Sequence, residues 1–260
     1  MYMIPKTIHY CWFGGNPKPK SVIRCIKSWR KKCPGYEIIE WNESNYDVTQ
    51  TRYMKEAYDE KKWGFVPDCA RLDIIFRYGG IYLDTDVELI RTLDPFLNCR
   101  SFCSFQFDNL IALGLGFGAE PGNELVKKLL DFYHSHSFYN EDGSVNLTPS
   151  PEINAQVFLN YGFELNGNYQ DVGGNIIYPR EYFDPKDFRS GFIRKTKKTV
   201  SIHHYDASWF DEWKQKEKLA KWRRHRISYI KKTPNRLLMK LLGNTRYEGL
   251  KRIIKKNRTT

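Results

Sequence analysis

Apolar and aromatic residues recur along this chain in short runs separated by Gly, Pro and Asn, and the period within each run names the element it forms. Lys6 to Phe13 is an apolar, aromatic stretch closed by Gly14-Gly15-Asn16-Pro17, which predicts a strand and a turn. Ser21 to Lys32 carries Val22, Ile23, Ile26 and Trp29 at helical spacing and stops before Pro34-Gly35. Tyr36 to Trp41 reads as the next strand, so strand, helix and strand predict a parallel α/β unit. Tyr53 to Tyr58 predicts a short helix, and Asp68 to Tyr78 a longer one with Leu72, Ile75 and Phe76 inward. Phe102 to Phe107 and the glycine-rich Ile111 to Ala119 follow as strands, then helices over Glu124 to His134 and Pro151 to Asn160. Ile176 to Tyr178 and Thr199 to His203 are short late strands, and no internal repeat interrupts the series.

The most informative stretch is Gly79-Gly80-Ile81-Tyr82-Leu83-Asp84-Thr85-Asp86-Val87-Glu88. Gly79 and Gly80 permit a tight turn out of the preceding helix. Ile81, Tyr82 and Leu83 then form a short strand that delivers Asp84 and Asp86 to its end, two apart and so on one face. Two carboxylates side by side resist ionising together unless a cation sits between them. Hard oxygen ligands of this kind suit Mg²⁺ or Mn²⁺ bridging to a diphosphate.

Composition narrows the class. A chain of 260 residues, 41% hydrophobic and 15% aromatic, can bury one large core and belongs with folded rather than disordered proteins. No apolar run reaches transmembrane length, and the first residues lack a signal-peptide pattern. Cys11, Cys25, Cys33, Cys69, Cys99 and Cys103 contain no Cys-x-x-Cys pair and are expected to be reduced, buried thiols in a cytoplasmic protein. The net charge of +12 is uneven: from Lys214 onward 17 Lys and Arg face 2 Asp and Glu, so the preceding body is nearly neutral. That split predicts a catalytic domain over residues 1–213 and a basic amphipathic helical tail over 214–260. Thr233-Pro234 is a helix start, and Leu237, Leu238, Leu241, Leu242, Leu250, Ile253 and Ile254 form apolar stripes between basic residues. Such a helix either lies on an anionic membrane surface or packs on its own domain.

Three motifs resemble one known family. Ile8-His9-Tyr10-Cys11-Trp12-Phe13-Gly14-Gly15 is similar to the opening motif of the sugar-binding, DXD-containing glycosyltransferases of family 32, which includes yeast mannosyltransferases and bacterial capsule enzymes. Asp68-Cys69-Ala70-Arg71, then Tyr78 through Asp86, resembles the centre of that family and the catalytic domain of clostridial glucosylating toxins. His203-His204-Tyr205-Asp206-Ala207-Ser208-Trp209 resembles its closing His-His-x-x-x-Ser-Trp. The resemblance implies an α/β fold of GT-A type, a Rossmann-like mixed sheet flanked by helices that binds a nucleoside-diphosphate sugar.

It also implies roles. Trp12 would stack on the nucleotide base, a flat π face suited to uracil or guanine; a core Trp after a strand is the plainer alternative. Asp68 and Arg71 lie on one helix face and would hold sugar hydroxyls and diphosphate, or form an ordinary intrahelical ion pair. Tyr82 lines the sugar pocket or packs in the core. Asp84 contacts the donor and, with Asp86, the metal. His204, chosen over His203 because Tyr205 follows it, completes the shell, with Ser208 as the other candidate; Trp209 would donate to the β-phosphate. Gln106, Asp108 and Asn109 follow a strand and could face the acceptor. Asp73 falls outside the matched spacing and is read as surface.

The expectation is a Mn²⁺- or Mg²⁺-dependent hexosyltransferase, retaining, acting on a saccharide or lipid-linked glycan in surface polysaccharide synthesis at the inner membrane face. Two rivals remain. Leu83 to Val87 also fits a haloacid-dehalogenase-like phosphatase, though it lies far from the first strand and no Asp-Asp pair follows. A nucleic-acid-binding protein acting through the tail would leave the acidic motif unexplained, so no nucleic acid is expected.

Overall fold

The computed structural model describes residues 3–106, 109–206, 216–217, 219–225 and 227–229. β1 (Thr7–Cys11) and β2 (Glu37–Trp41) flank α1 (Lys20–Lys32) and pair in parallel, as their order in the sequence predicts. β3 (Gly80–Tyr82) lies on the other side of β1, also parallel, with Ile8 opposite Ile81 and His9 opposite Tyr82. β4 (Val87–Leu89) leaves this sheet after β3. Antiparallel pairing then links β3 to β6 (Phe117–Ala119) and β6 to β5 (Ser101–Ser104). β8 (Asn175–Tyr178) adds in parallel to β5, and β7 (Gln170–Val172) closes the far edge. Among the described residues the order is β2-β1-β3-β6-β5-β8-β7, a mixed sheet of seven strands. β4 pairs instead with β9 (Ser201–His203) in a separate antiparallel ribbon.

Alternation along the strands feeds two cores. Ile8, Tyr10, Ile81 and Phe102 pack on one face with Val22, Cys25, Ile26 and Trp29 of α1. On the other face Cys11, Tyr82 and Cys103 meet α2 (Arg52–Asp59), α3 (Val66–Tyr78), α4 (Glu124–Ser135) and α5 (Ser150–Tyr161). Helices on both faces of a mixed sheet are the α/β architecture expected. All six cysteines are free and buried.

Two predicted strands are shorter than their apolar patterns. Ile111 to Ala119 yields only β6, because Leu113–Leu115 turns as a 3₁₀ helix and Gly116 sits at φ 146°. Phe102 to Phe107 ends its regular pairing at Ser104, with Phe105 bridging to Ile111. β7 was not foreseen; it holds one apolar residue, which is what an outer strand tolerates.

The seam between β1 and β3 depends on His9. Trp41 Nε1–H, which can only donate, lies 3.1 Å from His9 Nδ1, so Nδ1 must accept and the proton sits on Nε2. Nε2–H then donates to the Gly79 carbonyl at 3.0 Å. Gly80 completes the seam: it lies at φ 92°, and a Cβ there would come 2.8 Å from both His9 Nε2 and the Thr7 carbonyl. The Gly-Gly pair is therefore needed for close passage of two strands as well as for turning.

The chain divides into two compact units, residues 1–188 with 193–210, and residues 189–192 with 211–260. Among the described residues of the second, 219–225 are helical, and Phe192 packs on Tyr229 with ring centroids 4.9 Å apart. The apolar stripe from Leu237 to Ile254 lies outside the described residues. No described helix is long and apolar enough to cross a membrane.

Burial holds His9 down from its ordinary 6.5 to about 4, outweighing the opposing hydrogen bond to the Gly79 carbonyl. Above pH 6.5 the ring is neutral folded or unfolded; as pH falls the unfolded chain takes the proton first, so stability is lost between about 6.5 and 4. The loss attributable to His9 reaches about 3 kcal/mol. Urea unfolding of wild type and His9→Gln across this range should show the wild-type advantage shrinking by that amount as pH falls; a pH-independent difference refutes the neutral, doubly bonded ring.

Candidate functional site

β3 ends at Tyr82, and the acids do not continue it as alternating strand residues. Leu83 N–H still bonds to the His9 carbonyl at 3.1 Å, but Val87 N–H returns to the Asp84 carbonyl at 3.0 Å, closing a turn over residues 84–87. Asp84 and Asp86 therefore converge because the chain turns. Asp84 N–H donates to the Gly114 carbonyl at 2.9 Å. Gly114 is required there: a Cβ on it would stand 1.8 Å from Asp84 Oδ2.

The third member comes from the end of β9. One ligand atom each from Asp84, Asp86 and His203 lie within 4.8 Å of one another. His203 Nε2 is 3.0 Å from Asp86 Oδ1, and Asp206 N–H donates to Asp86 Oδ2 at 2.8 Å. Burial alone would raise the Asp86 pKa, but the His203 charge and these hydrogen bonds outweigh it and hold the carboxyl at about 2. Burial likewise opposes charge on His203, and Asp86 reverses the balance, so its pKa is raised.

The residue that joins the acids is thus His203, not His204. His204 Nε2 points to Glu88 Oε2 at 2.8 Å. The reason is alternation along β9: Ile202 is opposite Glu88, so His204, two residues on, shares the Glu88 face while His203 takes the other. The neighbouring Tyr205 was a poorer guide than the period of the strand.

α3 supplies the charge beside Asp84. Pro67 opens the helix and Asp68 sits in its first turn. Arg71, one turn on, hydrogen-bonds Asp68, donates Nε–H to the Pro67 carbonyl at 2.9 Å, and places Nη1 3.7 Å from Asp84 Oδ1. Its guanidinium lies 5.0 Å from the Tyr82 ring centre. Burial acts against its charge, but Asp84 and Asp68 more than offset this and push the pKa up, so Arg71 stays charged. Burial also raises Asp68 to about 6, with Arg71 opposing. Tyr82 is fully buried with its phenol pKa raised by burial; it floors the site from the core.

Trp12 follows β1 directly, at the carboxyl end of the same parallel β1–β3 pair from which the chain runs on to the acids. Its half-buried indole donates Nε1–H to the Asn16 carbonyl at 2.7 Å, with Lys18 Nζ 5.7 Å from the ring centre. Asp73 is not surface: it is buried, accepts from Tyr46 Oη–H at 2.9 Å and pairs with Arg77 at 2.8 Å. Gln106 is buried and Asn109 exposed, while Asp108, Ser208 and Trp209 lie outside the described residues. A cleft of about 620 Å³ lined by Glu43, Asn45, Tyr46, Asp47 and Tyr58 shares no residue with this cluster. Gly114 and the Asp206 N–H were not foreseen; the only local signal was the glycine-rich run at 114–118.

The cluster fits a divalent cation. Two carboxylates and an imidazole form a donor set of hard oxygens and one borderline nitrogen, which suits Mn²⁺ or Mg²⁺. His203 Nε2 faces Asp86 Oδ1 at 3.0 Å and would give its lone pair to a cation once the ring is neutral, with the proton on Nδ1, which is buried without a hydrogen-bond partner. The absent Cβ at Gly114 leaves the Asp84 carboxylate its place.

Residues 19–103 match the family model described as the glycosyltransferase sugar-binding region containing DXD motif. That span contains Asp68, Arg71, Tyr82, Asp84 and Asp86. Inositol phosphoceramide mannosyltransferase 3 of Schizosaccharomyces pombe is 35% identical over 99 residues, covering 36% of this chain and 28% of the relative. Inositol phosphoceramide mannosyltransferase 1 of the same organism is 25% identical over 178 residues, covering 63% and 52%. The chain thus spans about half or less of the length of these relatives. Among solved structures, the PaToxG glycosyltransferase superposes with a TM-score of 0.48 at 16% identity, covering 61% of this chain and 70% of that one. The phosphatase alternative for the same acidic motif gives way to the family-model match over residues 19–103. The central motif lies inside the matched region and its acids gather beside Arg71, so residues 19–103 are similar to the sugar-binding region of the DXD-containing glycosyltransferases.

Proposed function

We propose that this domain transfers a hexose from a nucleoside-diphosphate sugar, preferably a UDP-sugar, to a saccharide or lipid-linked glycan with retention of configuration. The observation that carries this reading is the convergence of Asp84, Asp86 and His203 within 4.8 Å, with the Arg71 guanidinium 3.7 Å from Asp84. Departure of a nucleoside diphosphate requires its growing negative charge to be neutralised. A divalent cation, when bound, would supply part of that charge. Asp84, Asp86 and His203 would hold it, and Arg71, fixed by Asp68 and the Pro67 carbonyl, adds a second, permanent positive charge needing no rearrangement. Asp68 would accept hydroxyls of the donor sugar, Tyr82 backs the pocket, and the Trp12 indole would stack on the base. Ser208 and Trp209 are proposed to donate to the diphosphate.

The two mannosyltransferase relatives, named for a lipid acceptor, favour a membrane-anchored acceptor here too. The basic tail supports the same direction: 17 Lys and Arg after residue 213 suit an anionic inner membrane face. We propose a two-part chain, residues 1–213 catalytic and 214–260 membrane-docking, acting in surface polysaccharide synthesis.

Melting-shift screening against UDP- and GDP-sugars, with and without Mn²⁺, should give a shift for one nucleotide that requires the metal. Asp86→Asn should abolish that metal dependence and lower transfer by at least about 10³-fold while the protein stays folded; an Asp86→Asn enzyme of wild-type activity removes the metal role. Truncation after Trp213 should reduce binding to vesicles containing anionic lipid without lowering transfer to a soluble acceptor. Unchanged vesicle binding rejects the docking role of the tail.

A further inference from the structure

Asp86 is gripped by one short piece of backbone. His203 reaches Oδ1 through its ring, the Asp206 N–H reaches Oδ2, and His204 N–H donates to the Asp86 carbonyl at 2.9 Å. For residues 203 and 206 to face the same carboxylate, the chain must reverse between them. It does so at Tyr205, which sits at φ 56°, a left-handed conformation that side-chain-bearing residues rarely adopt.

The Tyr205 side chain shows what holds that conformation. Its hydroxyl donates to Asp184 Oδ1 at 2.7 Å, and Asp184 is fully buried. Asp184 is itself fastened: its N–H donates to the Arg180 carbonyl at 2.8 Å, and Arg180 Nε lies 3.1 Å from Oδ2. The Tyr205 ring packs on the His203 imidazole with centroids 4.1 Å apart, limiting how far that ring can turn. Lys186 adds a hydrogen bond to the His204 carbonyl within the same turn. A charge-assisted bond to a buried carboxylate and a ring wedged against the imidazole thus act on one strained residue.

We propose that Tyr205 is a positioning residue for the cation site: its bond to Asp184 locks the left-handed turn that aims His203 and the Asp206 N–H at Asp86. This rests on the metal-dependent reading above. Partners one step removed from a metal set the orientation of its ligands, and losing one weakens metal affinity by about 10–100-fold. With Tyr205 released, the turn relaxes toward ordinary φ values, His203 swings from Asp86, and the three ligand atoms no longer converge.

The test is Mn²⁺ titration of the full chain followed by electron paramagnetic resonance, with the unfolding midpoint measured in parallel. Wild type should bind, and Tyr205→Phe should bind at least about tenfold more weakly, with transfer recovering at saturating Mn²⁺. A purely structural role would lower the midpoint and leave the affinity of the folded protein unchanged. Equal affinity in wild type and Tyr205→Phe overturns this inference alone. Absence of Mn²⁺ binding by wild type overturns the metal reading and this inference with it. Should Tyr205→Phe not fold, Asp184→Asn, which keeps an acceptor oxygen for the hydroxyl, should retain affinity that Asp184→Ala loses; equal affinity in those two overturns the proposal.

Discussion

Two carboxylates two positions apart, partly shielded from water, set the terms for the rest of this structure. Their mutual repulsion must be countered, and the fold does so separately for each. Asp86 is met by the His203 imidazole and two backbone N–H groups, of which one reaches its carboxylate and one its carbonyl. Asp84 is met by Arg71, itself buried and tied to Asp68 and Pro67. Neither counter-charge comes from nearby sequence, so α3, the turn after β3 and the end of β9 must meet at one point. Breaking any one contact would leave an uncompensated charge in a poorly solvated place.

That meeting point explains several requirements elsewhere. β3 can carry the acids to the sheet edge only if it passes close beside β1, and Gly80 and the neutral His9 ring make the passage possible. The segment before β6 must come against Asp84, so it abandons strand geometry at Leu113–Leu115 and presents Gly114. α3 is buried along most of its length because one side packs between sheet and helices while Asp68 and Arg71 occupy the site side. This accounts for a helix whose apolar residues do not form a single clean stripe.

The reach of each contact along the chain separates the residues legible in the sequence from those that are not. Asp84, Asp86, Asp68, Arg71 and Tyr82 stand out in the sequence because short spacings set their placement: a turn after a strand and one turn of helix. Which of the two neighbouring histidines lies beside the acids is decided by alternation along β9, which turns His203 to Asp86 and His204 to Glu88. Asp73 reads as surface from helical spacing, which gives no sign of Tyr46 reaching it from a loop 27 residues earlier. Gly114 looked like one glycine among several in a strand, since its role is defined by an oxygen of a residue 30 positions away.

What the chain determined locally is the set of elements, their parallel opening unit, the acidic turn and the uneven placement of charge, because periodicity, glycine and proline act over a few residues. What only tertiary structure decided is which side chains neutralise which. Charge compensation in a buried site depends on distances of a few ångströms between elements remote in sequence, and no local pattern encodes them. His203 beside Asp86, Gly114 beneath Asp84 and Tyr205 anchored to Asp184 all belong to that second kind.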